Sequence, residues 1–181
     1  FIIFIEKMKF LKIISLLFVI FGFCPNENLV RAAGTDAANP KSYKVLSTNN
    51  KNLSVASVEY YLKEGDKFIK NGDFDEAKDS YLDARKLAKQ LASFYSDLNS
   101  SFKGIDARIP NEMQRKGKET LKILAKTNDR LVSLYLKTEK PEVAVPLLIE
   151  TIRIMSPNSP QGREAYERLI QLGFVETKYK G

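Results

Sequence analysis

The stretch Tyr61–Leu87, YLKEGDKFIKNGDFDEAKDSYLDARKL, has the residue spacing of two helices folded against each other. Two helices approach closely only where one presents a small residue and the other fills the gap. Gly65 and Ala77 are the small residues at the expected contact, and Tyr81 is placed to fill it. Gly72 supplies the turn between the helices. The stretch therefore predicts a helical hairpin with a close contact at Tyr81.

This stretch resembles a tetratricopeptide repeat, a 34-residue helix-turn-helix unit with small and aromatic residues at fixed positions. Those positions are occupied here by Tyr61, Gly65, Phe68, Gly72, Ala77, Tyr81 and Ala84. The sequence departs from the family at Glu64, where leucine is usual, and no proline closes the unit after Ala84. The resemblance implies antiparallel helical hairpins stacked as in an α-solenoid.

A weaker copy of the pattern lies about two repeat periods further along the chain. It has Leu131, Tyr135, Ala144 and Leu148 in the same positions and Pro157 at its end. Val132 and Thr151 replace the expected small residues. The C-terminal part also resembles small exported tetratricopeptide proteins of cyanobacteria and chloroplasts, which implies an assembly factor of the periplasm or the thylakoid lumen.

The residues between the two copies predict long helices rather than a middle repeat. No Gly or Pro interrupts the chain from Phe74 to Lys103. Apolar positions there alternate spacings of four and three, through Ala77, Tyr81, Ala84, Ala88, Leu91, Tyr95, Leu98 and Phe102. A second series runs through Gly117, Leu121, Leu124, Asn128, Leu131 and Tyr135. Two such seams indicate a long antiparallel hairpin with arms about 40 Å long.

Helix start and stop signals complete an all-α fold. Ser54 is a candidate N-cap, Pro141 suits a first helical turn, and Gly173 ends the last helix. Helices are expected at 55–71, 74–103, 111–138, 141–155 and 160–172, and the last should cap the apolar face of the stack. Pro146 lies inside the fourth helix, where a kink or a late helix start is expected.

The N-terminal region has the pattern of a secretory signal, expected over residues 1–32. An apolar run, Ile13–Phe23, follows Lys9 and Lys12, and small residues precede Ala33. Met8 is the expected true start. An uncleaved membrane anchor is the alternative, although the run is shorter than the roughly 20 residues that a spanning helix needs. A flexible linker is expected at 33–53, the helical domain at 54–174 and a tail at 175–181.

The composition gives little support to catalysis. The chain has no His, no Trp and a single Cys, Cys24, which lies in the expected signal. No phosphate-binding glycine loop or nucleophile elbow is present. Acidic residues near Phe74 suit the N-terminus of a helix. We therefore expect a protein that is not an enzyme and that has no metal or cofactor.

A basic stripe carries much of the formal net charge of +7. Its members are spaced three to four residues apart: Arg115, Lys118, Lys122 and Lys126. Such a stripe is either a solvated helix face or a surface for an acidic partner or anionic lipid. Nucleic acid is not expected, because no aromatic residue lies among these cations and an export signal is predicted.

The repeat resemblance implies a concave groove lined by the first helix of each unit. Its expected residues are Glu59, Leu62, Asp66, Ile69 and Lys70 in the first unit, and Lys126, Asp129, Ser133 and Lys137 in the last. The family's Lys and Asn clamp for a C-terminal carboxylate is not reproduced. The expected function is a scaffold or adaptor that binds another protein or peptide. The alternatives are a self-associating helical protein, which would form a homo-oligomer, and a peripheral membrane factor that uses the basic stripe.

Overall fold

The computed structural model describes residues 53–180, and that part of the chain folds into five α-helices without a β-strand. The helices are α1 (Val55–Asn71), α2 (Phe74–Ser101), α3 (Arg108–Lys137), α4 (Pro141–Met155) and α5 (Pro160–Gln171). The predicted all-α class is confirmed. The predicted signal at 1–32, with its start at Met8, and nearly all of the 33–53 linker lie outside the described residues.

The α1–α2 hairpin has the predicted close contact. A Cβ atom built on Gly65 would lie 2.6 Å from Cδ1 and 2.9 Å from Cζ of the Tyr81 ring, so only glycine leaves room for that ring. Tyr81 is 1% exposed. Ser54 caps α1 by accepting a hydrogen bond from the backbone N–H of Ser57 at 3.1 Å. Gly72 ends α1 with φ of 88°, the left-handed conformation that favours glycine.

Helices α2 and α3 form the long central hairpin, and neither is interrupted. Three contacts fix their antiparallel register: Phe74 with Lys137, Arg85 with Asn128, and Tyr95 with Gly117. Ala88 and Leu91, where a middle repeat would have to break, lie within α2. The expected long hairpin is therefore present in place of a middle pair of helices.

The buried seam of the hairpin is shorter than the sequence predicts. The seam residues of α2 are buried from Ala77 to Leu91, but Tyr95 is only half-buried and Leu98 is 44% exposed. The reason is that α1 is too short to cover the rest of the seam. With Gly65 opposite Tyr81, the first residue of α1, Val55, lies beside about Leu91. The end of the hairpin, residues 92–119, extends past α1, and Met113 alone is buried there.

The start of α3 differs from its predicted position by three residues. It begins at Arg108 rather than at residue 111. Asp106 accepts hydrogen bonds from the backbone N–H of Arg108 at 3.0 Å and from its guanidinium at 2.7 Å, and these bonds fix the first turn. Pro110 then lies within that first turn, where a backbone N–H would have no helical acceptor.

Helices α4 and α5 complete the stack. α4 begins at Pro141 and continues through Pro146, so a late helix start does not occur. Ser159 caps α5 by accepting a hydrogen bond from Gly162 N–H at 3.0 Å. The main neighbours in the stack are α1 with α2, α2 with α3, α3 with α4, and α4 with α5, while α1 also contacts α3.

The C-terminal tail folds back along α5. The hydroxyl of Tyr166 donates a hydrogen bond to the carbonyl of Thr177 at 2.7 Å. The Tyr179 hydroxyl is hydrogen-bonded to the Asn158 side chain, and the rings of Tyr166 and Tyr179 meet edge to face at 6.1 Å. A cavity of about 430 Å³ lies between α5 and this tail.

Candidate partner-binding groove

Four of the five groove residues expected on α1 are at least partly accessible. Glu59 and Lys70 are exposed, and Asp66 and Ile69 are half-buried. Leu62 is 3% exposed and belongs to the core, so it cannot contact a partner. The physical reason is its position on the helical stripe of Val58 and Gly65, which faces α2.

The groove residues expected on α3 lie at the surface. Lys126, Ser133 and Lys137 are exposed, and Asp129 is half-buried. The ammonium group of Lys137 lies 4.7 Å from the centre of the Phe74 ring, which holds this side chain toward α2 by a cation–π interaction. Lys126 and Ser133 therefore remain the more available of the four.

An ion-pair row joins α1, α3 and α5 across one surface. Its members are Asp66, Arg130, Asp129, Arg168 and Glu164. Nε of Arg130 lies 3.0 Å from Oδ1 of Asp66, and Nη1 of Arg168 donates to Oδ1 of Asp129 at 2.6 Å. Nη2 of Arg168 donates to Glu164 at 3.0 Å. The row brings the expected groove residues Asp66 and Asp129 onto one continuous surface that also includes α5.

The ion-pair row is attached to the core through Tyr81. The Tyr81 hydroxyl donates a hydrogen bond to Oδ1 of Asp66 at 2.6 Å. Burial raises the pKa of Tyr81, and the hydrogen bond to the Asp66 carboxylate raises it further. Tyr81 is therefore a neutral donor, and it positions the carboxylate that begins the row.

A second polar cluster joins α2, α3 and α4. Glu150 on α4 is 8% exposed and accepts from Arg85 at 2.6 Å and from Lys89 and Asn128 at 3.0 Å. Burial alone would raise the pKa of Glu150, but hydrogen bonds from Lys89, Arg85 and Asn128 outweigh it and hold the pKa below its usual value. The cluster has its buried polar atoms satisfied and holds the central hairpin against α4.

The α3–α5 groove is a cavity of about 320 Å³ bordered by α3, α4 and α5. Its floor is mainly apolar and consists of Ala125, Val132, Leu148 and Ala165 with Thr151 beside them, all of them buried. Its walls carry Lys122 and Lys126 from α3, and Gln161 and Glu164 from α5. Asp129 and Arg168 also line the cavity, and they form part of the ion-pair row.

Sequence reasoning assigned no groove residue to α5. Gln161, Glu164 and Arg168 line the cavity, and they are three to four residues apart on one face of the helix. That spacing could have indicated a shared surface. It could not indicate which helix this surface faces, because that depends on how α5 packs against α4, a tertiary contact.

The four residues of the predicted basic stripe are all exposed on α3, but they do not all line the α3–α5 groove. Arg115 does not line the cavity, and its one ion pair among the described residues is a 3.9 Å contact with Glu119 on its own helix. Lys118 is exposed, while Lys122 and Lys126 line the α3–α5 groove. Within residues 53–180, no carboxylate lies within 4.0 Å of Lys118, Lys122 or Lys126. Two lysines are thus shared between the predicted stripe and the groove.

Among the described residues, no group of three or more His, Cys, Asp or Glu side chains is arranged to hold a metal ion. Over the same residues, none of the helices combines the length and apolar character required to cross a bilayer. No protein-family model, curated protein or solved structure matches this chain.

Proposed function

We propose that this chain is a non-enzymatic scaffold of tetratricopeptide type that binds another protein or peptide in the groove formed by α1, α3 and α5. Three features support the proposal: the repeat pattern of the α1–α2 hairpin, the contact of α1 with α3, and the row of side chains that continues to α5. The observation that carries it is the α3–α5 groove, since an apolar floor with a few polar groups on the walls is typical of binding sites.

The proposed compartment is the periplasm or the thylakoid lumen, because the N-terminal sequence has the pattern of an export signal. A scaffold exported in this way would act as an assembly factor for other exported proteins. The alternative is attachment to a membrane through the same apolar segment.

Site-specific photo-cross-linking tests the scaffold proposal. A photoreactive amino acid at Ser133, an exposed α3 residue one helical turn from the groove-lining Asp129, should yield a discrete cross-linked partner in the exported fraction of the source cells. The matched control is the same group at Lys86, an exposed position on α2 that does not line the groove. Identical products at both positions, or none at Ser133, would contradict a groove-binding scaffold.

Self-association is the second candidate, and one observation favours it. Leu98 is 44% exposed and Ile105 is 78% exposed toward the end of the central hairpin, and the exposed ring of Phe94 lies one helical turn before Leu98. A second copy would remove these apolar side chains from water. This arrangement would make the hairpin end, rather than the groove, the principal contact surface.

A further inference from the structure

The cationic side chains around the α3–α5 groove differ in whether they form ion pairs. Arg168 forms ion pairs with Asp129 at 2.6 Å and with Glu164 at 3.0 Å. Lys122 and Lys126 line the same cavity and, within the described part of the chain, have no carboxylate within 4.0 Å. They are four residues apart on α3 and therefore lie on the same side of the helix. Two ammonium groups are thus available to one ligand.

The position of the negative charges restricts where an anionic group can bind. Asp129 is seven residues, about 10 Å, along α3 from Lys122, and Glu164 lies on the α5 wall. A carboxylate near these two groups would be repelled, whereas a carboxylate near the two lysines would be attracted. The groove therefore favours a ligand with its negative charge at the Lys122 end and with neutral groups toward Asp129.

The floor requires an apolar component in the ligand. Ala125 and Ala165 contribute only methyl groups, and the larger side chains of Val132 and Leu148 complete the surface. An aliphatic or aromatic side chain of the ligand that covers this floor removes apolar surface from water. A volume of about 320 Å³ is at the lower end of the range for ligand sites and suits a few side chains of a short segment.

From these observations we infer that the α3–α5 groove binds an acidic peptide segment of a partner protein. A Glu or Asp carboxylate of the segment pairs with Lys122 and Lys126, and a neighbouring apolar side chain rests on Ala125 and Ala165. The inference rests on the proposed scaffold function and specifies its ligand.

A peptide fits this site better than an anionic membrane does. The apolar floor is recessed between helices, and a planar bilayer surface cannot reach it. A bilayer would also present negative charge to the exposed Glu164 and Glu167 of α5, which a single peptide carboxylate avoids.

Fluorescence anisotropy with the full chain tests the inference. The probe is a labelled nine-residue peptide with adjacent Glu and Leu near one end and Ala and Ser elsewhere, and its counterpart has Gln in place of the Glu. The variant K122Q/K126Q should weaken binding of the acidic peptide by about 5- to 30-fold, the expected loss of two partly screened charge contacts. The matched variant K86Q/K103Q removes the same charge outside the groove and should bind as wild type does. The Gln peptide should bind weakly to every form.

A second variant tests the apolar floor. Ala165→Leu would fill the space above the floor and should also weaken the acidic peptide, after circular dichroism has confirmed that the variant is folded. If this variant does not fold, the lysine variants still decide the question because their side chains are exposed.

Three results would overturn the inference: no binding of the acidic peptide, equal weakening by the two lysine pairs, or groove-dependent binding of phosphatidylglycerol vesicles without peptide binding. A partner cross-linked at Ser133 that excess acidic peptide fails to displace would also overturn it. That last result would leave the scaffold proposal intact, so failures of the two proposals can be distinguished.

Discussion

The hydroxyl of Tyr81 on α2 donates a 2.6 Å hydrogen bond to Asp66 on α1, while the ring fills the space beside Gly65. One side chain thus joins the core of the first hairpin to the ion-pair row on the proposed groove surface. Two substitutions at this position separate its packing from its hydrogen bond.

Tyr81→Ala should lower the free energy of unfolding by about 3 to 5 kcal/mol, because it leaves a cavity where a buried aromatic ring was. Tyr81→Phe keeps the ring and should cost about 1 to 3 kcal/mol through loss of the hydrogen bond to a carboxylate. Gly65→Leu should be comparably damaging to Tyr81→Ala, since its side chain would overlap the ring. Urea denaturation measures all three, and a loss below about 1 kcal/mol for Tyr81→Ala would contradict the packing.

Glu150→Gln should lower the free energy of unfolding at pH 7 by about 1.5 to 3 kcal/mol, because the carboxylate accepts hydrogen bonds from two cations. The pKa of Glu150 is held below its ordinary value of 4.5 in the folded protein. The stability that the charged Glu150 carboxylate contributes is therefore fully present above about pH 4.5. It is lost as pH falls through the lower pKa of the folded state.

Denaturation of wild type and Glu150→Gln from pH 7 to pH 3 measures this effect, and the difference between them should shrink below about pH 4.5. Glu167→Gln, at an exposed position on α5, is the control and should show no comparable change. A difference that stays constant across this range would mean that the charge of Glu150 does not stabilise the fold.

Reversing two lysines tests whether the basic stripe has a role in binding. Lys118→Glu with Lys122→Glu should leave the free energy of unfolding nearly unchanged, since both side chains are exposed and unpaired within the described residues. Binding to a protein partner should weaken, and wild-type binding should fall as salt screens these charges. If the double variant binds normally and affinity ignores ionic strength, the stripe is only solvated surface. Flotation with anionic liposomes shows whether the stripe binds lipid rather than a protein partner.

Sedimentation of the chain distinguishes the scaffold from the self-associating alternative. The scaffold proposal predicts a monomer, because its contact surface is the α3–α5 groove rather than the hairpin end. A stable dimer that dissociates when Leu98 is changed to Glu would instead assign the hairpin end as a self-association surface. Lys103→Glu, near the same end, is the control for a change of charge alone.

Local signals in the sequence were sufficient to predict the helices. Gly72 and Ser54 mark the ends of α1 by their backbone preferences, and the Gly65–Tyr81 contact follows from residue size. The start of α3 was missed because the side chain of Asp106 fixes the first turn two residues later. That bond depends on the conformation of a loop rather than on helical periodicity.

The surface was harder to predict because it depends on contacts between distant segments. Leu62 was assigned to the groove, but the direction of α2 places it in the core. Arg85 and Glu150 come from different helical hairpins, and no local pattern connects them. The contribution of α5 to the groove likewise depends on its packing against α4 and its ion pair with α3, which spacing within α5 alone does not determine.

Hydrogen exchange of the full chain, with and without the partner cross-linked through Ser133, tests the groove most directly. The account predicts that protection on binding is concentrated in α3 around Lys122–Ser133 and in α5 around Gln161–Arg168, with little change at the hairpin end. Protection confined to residues 94–106, with the α3–α5 groove unchanged, would contradict it.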